Sequence, residues 1–417
     1  MTAIEEAGDT VARSQRPLRV TLLGIRGFPN VQGGAENHAE HLATELVALG
    51  CEVEAIVRTP YVAKGTSHSV RGIKLARVWS PRRTGVEAFV HTFLGVLRAA
   101  CTRPDILHIH SVGPALFTPL ARFFGLKVVV THHLPNYEAK KWGALARAIL
   151  RLGERLGMRF ANGRIAVSAG LASRMKRTYG VPVAVIPNGI AAPSRPQSTS
   201  LLHTFGLEPR RYILTVARID EQKRQLDLID AFGKLGESGW KLAIVGDSDY
   251  ATEYARRVRQ AAAQTPGVVL LGYQASDALA ELYTHAGFFV LPSSHEGQPI
   301  AALEAISFRC PTVLSDIPAH REIGTSVTQF VRVGDVAALA RSLRAKSAAA
   351  AYRDPGVIEH EYFMKNHDWR EIAARTLKVY MSALSQDKRL AQGLVSRFRS
   401  SPQLAARSEA NFGIEGH

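Results

Sequence analysis

The sequence predicts an α/β chain of two doubly wound, parallel-sheet domains facing each other across a cleft. Two observations predict this. Short β-branched runs alternate with longer amphipathic runs along most of the 417 residues, the pattern of parallel sheets covered by helices. The alternation breaks at 187–200, PNGIAAPSRPQSTS, where Pro and Ser dominate as they do in linkers. At roughly 100–200 residues per domain the length allows two or three domains.

The elements follow in order. Residues 1–17 are polar, mixed in charge and without the apolar run of a signal peptide, so disorder is expected there. The first domain is expected over 18–190, with strands at 19–24, 52–57, 73–78, 105–109, 127–131 and 164–167. Over 35–49, Ala39, Leu42, Ala43, Leu46 and Val47 share one helical face, and Gly50 follows as a stop. The apolar segment 86–101 carries Glu87, His91 and Arg98 and reads as a buried amphipathic helix. No uninterrupted apolar run approaches the ~18 residues of a membrane span. A linker is expected at 191–200 and the second domain at 201–368, with strands at 212–216, 241–245, 268–271, 288–291 and 312–314. A last helix occupies 369–385, and the basic, weakly periodic 386–417 is expected to be disordered.

Hydrophobic residues make up 46% and charged residues 21%, as in soluble globular proteins. Cys51, Cys101 and Cys310 show no metal or redox spacing, which points to a reducing, cytoplasmic compartment. The formal charge of +16 admits three partners: nucleic acid, an anionic lipid surface or phosphorylated ligands. No zinc-finger spacing or RNA-recognition signature is present, so nucleic acid ranks last. A generically basic surface is the plain alternative.

In open α/β sheets, ligands bind outside the carboxyl ends of the strands. Three motifs sit there. Gly33 and Gly34, ahead of Ala35 and Glu36, follow the first strand; glycines let backbone approach a phosphate, and a helix N-terminus favours an anion. The loop is neither of the common glycine-rich nucleotide motifs, and a tight strand-to-helix turn is the alternative. Arg218 and Lys223 follow the first strand of the second half and can converge on a diphosphate, the guanidinium gripping two oxygens and the ammonium acting as a point charge. The third motif, Ser294-His295-Glu296-Gly297-Gln298-Pro299 through Glu304, is the strongest. Pro299 suits the first turn of a helix. Glu304 sits among Ala302, Leu303, Ala305 and Ile306 and so requires a partner, such as vicinal ribose hydroxyls; Glu296 can hydrogen-bond sugar hydroxyls.

These motifs, in this order, resemble the GT-B glycosyltransferases of family 4. The resemblance runs over about 19–384 and rests on LPSSHEGQPIAALEAISF, on Ile186-Pro187-Asn188-Gly189-Ile190 and on GIRGFPNVQGGAENHAEHLATEL. The last of these looks like bacterial enzymes of capsule, lipopolysaccharide or exopolysaccharide assembly. The resemblance implies two Rossmann-like domains, the first for the acceptor and the second for the nucleotide sugar. Residues 369–385 would cross back onto the first. It places Gly34 under the donor diphosphate, Arg218 and Lys223 on the phosphates, Glu304 on the ribose and Glu296 on the transferred sugar, with backbone amides near Gly297, Gln298 and Pro299 assisting. Thr131-His132-His133 matches a strand-end pattern that points to His133 as a sugar contact. His132, His110 and Asn188 are weaker candidates for sugar or acceptor contacts. Gln298 departs from the aromatic or aliphatic residue of many relatives.

The resemblance also implies retention of anomeric configuration by a front-face route, without metal or other cofactor. Asp247-Ser248-Asp249 looks like a metal motif of another glycosyltransferase fold and is set aside here. The acceptor is expected to be a polyprenyl-diphosphate-linked saccharide. The region 140–159 is expected to dock peripherally on an anionic membrane: Arg147, Arg151, Arg155 and Arg159 line one helical face, and Leu145, Ile149, Leu152 and Leu156 another. The competing readings are a nucleotide-sugar 2-epimerase on the same fold and a non-enzymatic basic binding protein.

Overall fold

The computed structural model describes residues 16–385, except 30, 64, 83–84, 139–141, 237, 249–250 and 349–355. Lys140 and Lys141, Asp249 and the expected tail at 386–417 therefore lie outside the described residues.

The first lobe holds β1 (Arg19–Leu23), β2 (Glu52–Arg58), β3 (Ser69–Val70), β4 (Ile73–Val78), β5 (Ile106–His110), β6 (Val128–His132), β7 (Gly163–Ala166) and β8 (Ala184–Val185). Their order across the sheet is β3-β4-β2-β1-β5-β6-β7-β8, parallel throughout except for the β3–β4 pair. The second lobe holds β9 (Tyr212–Val216), β10 (Lys241–Val245), β11 (Val268–Gly272), β12 (Phe288–Leu291), β13 (Thr312–Ser315) and β14 (Gln329–Val331) in the parallel order β11-β10-β9-β12-β13-β14. The central strands are buried at nearly every position, because helices cover both faces of a parallel sheet.

In each lobe the strand order reverses beside the first strand, at β1/β5 and at β9/β12. The carboxyl ends of these strands form the crevice where ligands enter such sheets. Helix Gly34–Ala48 leaves the first lobe's switch point, and helices Gln225–Gly233 and Ile300–Ser307 leave the second's. Gly50 ends the first of these with a φ of +86°, a left-handed closing position that costs glycine nothing.

Helix Trp369–Ser385 packs back onto the first lobe: Trp369, Ile372, Ala373, Leu377 and Tyr380 join the core of Leu22, Ile25, Leu42 and Val57. Arg16 departs from the expected disorder of 1–17, since its guanidinium pairs with Asp105.

Helix Ala144–Phe160 also differs from an ordinary core helix. Its buried face is Gly153, Glu154, Gly157 and Met158. A Cβ on Gly153 would lie 2.2 Å from the Val112 carbonyl, and one on Gly157 2.8 Å from the Ala115 Cβ. Small residues thus bring the backbone close to the 112–116 turn, and the large side chains are left outside. Leu145 is 76% exposed, and Ile149, Leu152 and Phe160 are exposed with it, as are Arg147, Arg151, Arg155 and Arg159. Among the described residues no helix is long and apolar enough to cross a membrane.

Candidate active site

The loop after β9 is built from the inside. Buried Gln225 donates its Nε2 proton to the Arg218 carbonyl at 2.9 Å and accepts from the Tyr254 hydroxyl. The Asp220 carboxylate accepts from the amide of Gln222. This bracing presents Arg218, half-buried, and Lys223 at the carboxyl end of the sheet. The neighbouring loop after β12 is tied to it: the Ser294 amide donates to the Gln222 carbonyl at 2.8 Å.

The two loops meet in an ion pair between Lys223 Nζ and Glu296 Oε1 at 2.5 Å, with both side chains mostly buried. Burial by itself would raise the Glu296 carboxyl. The Lys223 ammonium, His320 and hydrogen bonds outweigh it and hold the carboxyl below its ordinary range, so Glu296 is ionised at neutral pH. Glu304, about one turn into helix Ile300–Ser307, has the opposite setting. Burial pushes its carboxyl up to about 7, against the hydrogen bond from the Tyr283 hydroxyl at 3.0 Å. A carboxylate held by one neutral donor in an apolar surround favours further donors, such as a pair of hydroxyls.

The first lobe faces these groups. The Glu36 carboxylate accepts from the amide and Nε of Arg26, fixing the glycine loop. A Cβ on Gly33 would sit 2.0 Å from Glu36 Oε2, whereas one on Gly34 would meet nothing within 4 Å. Gly34 therefore borders open space. The loop reaches across the cleft, since a Cβ on Gly246, just after β10, would lie 3.0 Å from Gln32 Nε2. A Cβ on Gly297 would lie 1.5 Å from the His133 carbonyl oxygen. Position 297 thus demands glycine because the other lobe's backbone rests on it. A further bridge runs from the Glu322 carboxylate to the amides of Ala169 and Gly170, both at 2.7 Å, at the start of helix Ala169–Tyr179.

His133 and His132 part company. His133 ends on the cleft side, with its Nε2 3.1 Å from the Nδ1 of His110. His132 is fully buried on the opposite face, its Nε2 2.7 Å from the Glu154 carboxylate, which also accepts from Tyr137 and Tyr179. Successive residues at a strand end point to opposite sides, so His132 belongs to helix packing and leaves the list of sugar contacts. His110 is buried behind His133 as its support. Asn188 also leaves the list: it is 4% exposed and its polar groups bond to Gln298, His38 and His367.

Two residues here carry no motif signal. His38 lies on helix Gly34–Ala48 and packs edge-on against His133, ring centroids 4.8 Å apart. His320, fully buried, follows β13; its Nδ1 donates to the Ser315 carbonyl at 2.8 Å, and its Nε2 has no partner among the described residues. Burial lowers the His320 imidazole against the pull of Glu296. A polar residue soon after a strand was the available signal for it.

Among the described residues one group has metal-ligand character: nitrogens of His38, His110 and His133 lie within 4.8 Å of one another. The closest pair is already hydrogen-bonded. Asp247, of the set-aside acidic motif, pairs with Arg259 at the surface.

Comparison with known proteins gives a consistent result. Residues 32–192 match the model described as Glycosyltransferase Family 4, and residues 210–346 the one described as Glycosyl transferases group 1. The chain is 27% identical over 406 residues to a glycogen synthase of Mycobacterium tuberculosis, covering 88% of this chain and 95% of that protein. Among solved structures it resembles the sucrose-phosphate synthase of Thermosynechococcus elongatus, with a TM-score of 0.76 at 19% identity over 89% of this chain and all of that one. It also resembles HepE of Anabaena in complex with UDP-glucose, with a TM-score of 0.68 at 18% identity over 86% and 99% of the two chains.

Proposed function

This chain belongs to the family 4 glycosyltransferases of GT-B fold, and on that premise we propose that it moves a sugar, with retention, from a nucleotide-diphosphate donor to a lipid-linked saccharide of cell-surface polysaccharide assembly. The observation that carries the reading is the Lys223–Glu296 pair. It sets a phosphate-binding cation and a sugar-reading carboxylate in contact before any ligand arrives.

Arg218 and Lys223 hold the diphosphate, Gly34 leaves room for it, and Glu304 accepts the ribose hydroxyls. Glu296 and His133 read the transferred sugar. The anomeric C–O bond to the diphosphate breaks first, leaving an oxocarbenium-like sugar. The departing phosphate oxygen takes the proton of the acceptor hydroxyl, whose oxygen bonds to the same face of the anomeric carbon. Catalysis is then positional and electrostatic. The two cations offset the charge that grows on the leaving group.

The outward apolar and arginine-bearing face of helix Ala144–Phe160 supports a membrane-side acceptor. Phe123, 82% exposed on the adjoining helix Thr118–Phe123, and the exposed Phe89 on helix Val86–Thr102 add further apolar side chains to the surface of this lobe. Apolar side chains entering the headgroup region beside arginines suit an anionic bilayer. The name of the mycobacterial relative favours a second reading, a soluble glucan as acceptor.

The test is a calorimetric screen of nucleotide sugars, followed by product analysis with polyprenyl-diphosphate-linked saccharides and soluble glucans in parallel. Transfer to the lipid-linked acceptor with the donor's anomeric configuration is expected. Transfer to glucan alone replaces the acceptor assignment, and inversion overturns the mechanism.

A further inference from the structure

Gln298 stands beside the sugar-reading Glu296, yet its side chain is turned away to the segment that leaves the first lobe. Its Oε1 accepts from the Asn188 amide at 2.5 Å, and its carbonyl accepts from Asn188 Nδ2 at 2.8 Å. The carbonyl can only accept, so the orientation of the Asn188 amide is determined: Nδ2 faces Gln298 and Oδ1 faces His38. Oδ1 lies 2.9 Å from His38 Nδ1. His38 must then carry its proton on Nδ1, leaving Nε2 as an acceptor.

His38 is 2% exposed, and burial lowers its pKa to about 4, so it is neutral at pH 7. Its ring meets His133 edge-on and lies 5.7 Å from that of His110, while His110 and His133 are hydrogen-bonded to each other. The Asn188 carbonyl accepts from His367, and Gly189 packs on the Trp369 indole. The crossing helix thereby clamps the same point.

We propose that Gln298 and Asn188 are positioning residues. They carry the placement of the donor loop 294–299 across the lobe boundary to His38, and through its ring to His133, so that Glu296 and His133 meet the transferred sugar in one fixed arrangement. The inference rests on reading this pocket as the donor-sugar site. It gives a role to the amide at position 298: an aliphatic side chain there would leave the buried Asn188 N–H without its acceptor.

The experiment compares full-length Gln298→Met, of similar length but without the oxygen, with Gln298→Glu, which retains it. Gln298→Leu replaces the Met variant should that one fail to fold. Imidazole nitrogen–proton NMR of the unliganded protein is the first readout. The Met variant is expected to shift the ring signals of His38 and His133, and the Glu variant to restore them; unmoved signals in the Met variant overturn the relay. Donor turnover is the second readout. The Met variant is expected to lose about tenfold in kcat with KM nearly unchanged, the Glu variant to recover most of it, and Gln298→Met with His133→Ala to be no slower than His133→Ala alone. Additive losses, or equal losses in the Met and Glu variants, overturn it. Should the wild-type chain bind no nucleotide sugar, the functional reading falls, and the imidazole spectra still decide the relay.

Discussion

Lys223 Nζ donates to Glu296 Oε1 over 2.5 Å, so the cation assigned to the phosphates neutralises the carboxylate assigned to the sugar until a donor arrives. On the proposed assignment each partner is expected to exchange the other for a ligand group: the ammonium for phosphate oxygens, the carboxylate for hydroxyls. The pair spares the fold two buried, uncompensated charges.

Replacing Lys223 by Ala is expected to lower kcat by about 10²–10³-fold, the range for removing one group that stabilises developing charge. Steady-state assay of nucleotide release measures it. Turnover close to wild type would remove Lys223 from the mechanism.

Glu304 gives a pH prediction. Burial raises its carboxyl to about 7, so the fold favours the protonated form. Its contribution to stability is fully present below the ordinary carboxyl value and is lost as pH rises through about 7. With Glu304 assigned to the ribose, donor binding is expected to have the opposite sign, since the ionised carboxylate is the better acceptor for two hydroxyls. Nucleotide affinity is expected to be about tenfold weaker at pH 6 than at pH 8, and Glu304→Gln to flatten the dependence. Calorimetric titration across that range decides it; equal slopes in wild type and variant would contradict the assignment.

Gly297→Ala places a methyl group against the His133 carbonyl, 1.5 Å from its oxygen. Backbone on both sides blocks relief, so the lobes must separate. A stability loss of about 1–3 kcal/mol is expected, with a larger radius of gyration in solution scattering. An unchanged scattering profile would show that the contact does not govern closure.

His132 and His133 should respond differently. His132→Ala strips the buried Glu154 of one of its three hydrogen-bond partners and is expected to cost about 1–3 kcal/mol, with nucleotide affinity unchanged in the folded fraction. His133→Ala is expected to retain stability more nearly and to lose donor turnover. Thermal unfolding and donor kinetics on both variants separate the roles; a reversed pattern would return His132 to the site.

Liposome flotation tests the exposed helix. The wild-type chain is expected to float with vesicles containing anionic lipid and not with neutral ones, and Leu145→Ser with Ile149→Ser to abolish flotation while donor affinity persists. Flotation that ignores both lipid charge and these substitutions would remove the membrane assignment.

Much of the fold was legible. Runs such as Tyr212–Val216 and Lys241–Val245 are continuous and apolar because both sheet faces are covered. Ser69–Val70, Ala184–Val185 and Gln329–Val331 were not found, since two or three residues at a sheet edge carry no period. The stripe of Leu145, Ile149 and Leu152 announced an amphipathic helix and was silent on which way it faces. The close approach at Gly153 and Gly157 decides that.

The sequence by itself determined the two-lobed parallel architecture and the post-strand positions of Gly34, Arg218, Lys223, Glu296 and Glu304, because strand ends and helix starts are set by local pattern and the crevice lies where they meet. Only the tertiary structure decided that His133 and not His132 faces the cleft, that Asn188 and Gln298 bond to each other, and that His38 and His320 stand beside the site. Those facts depend on which side chains from distant segments share a few ångströms of space, and residue spacing along a chain carries no record of that.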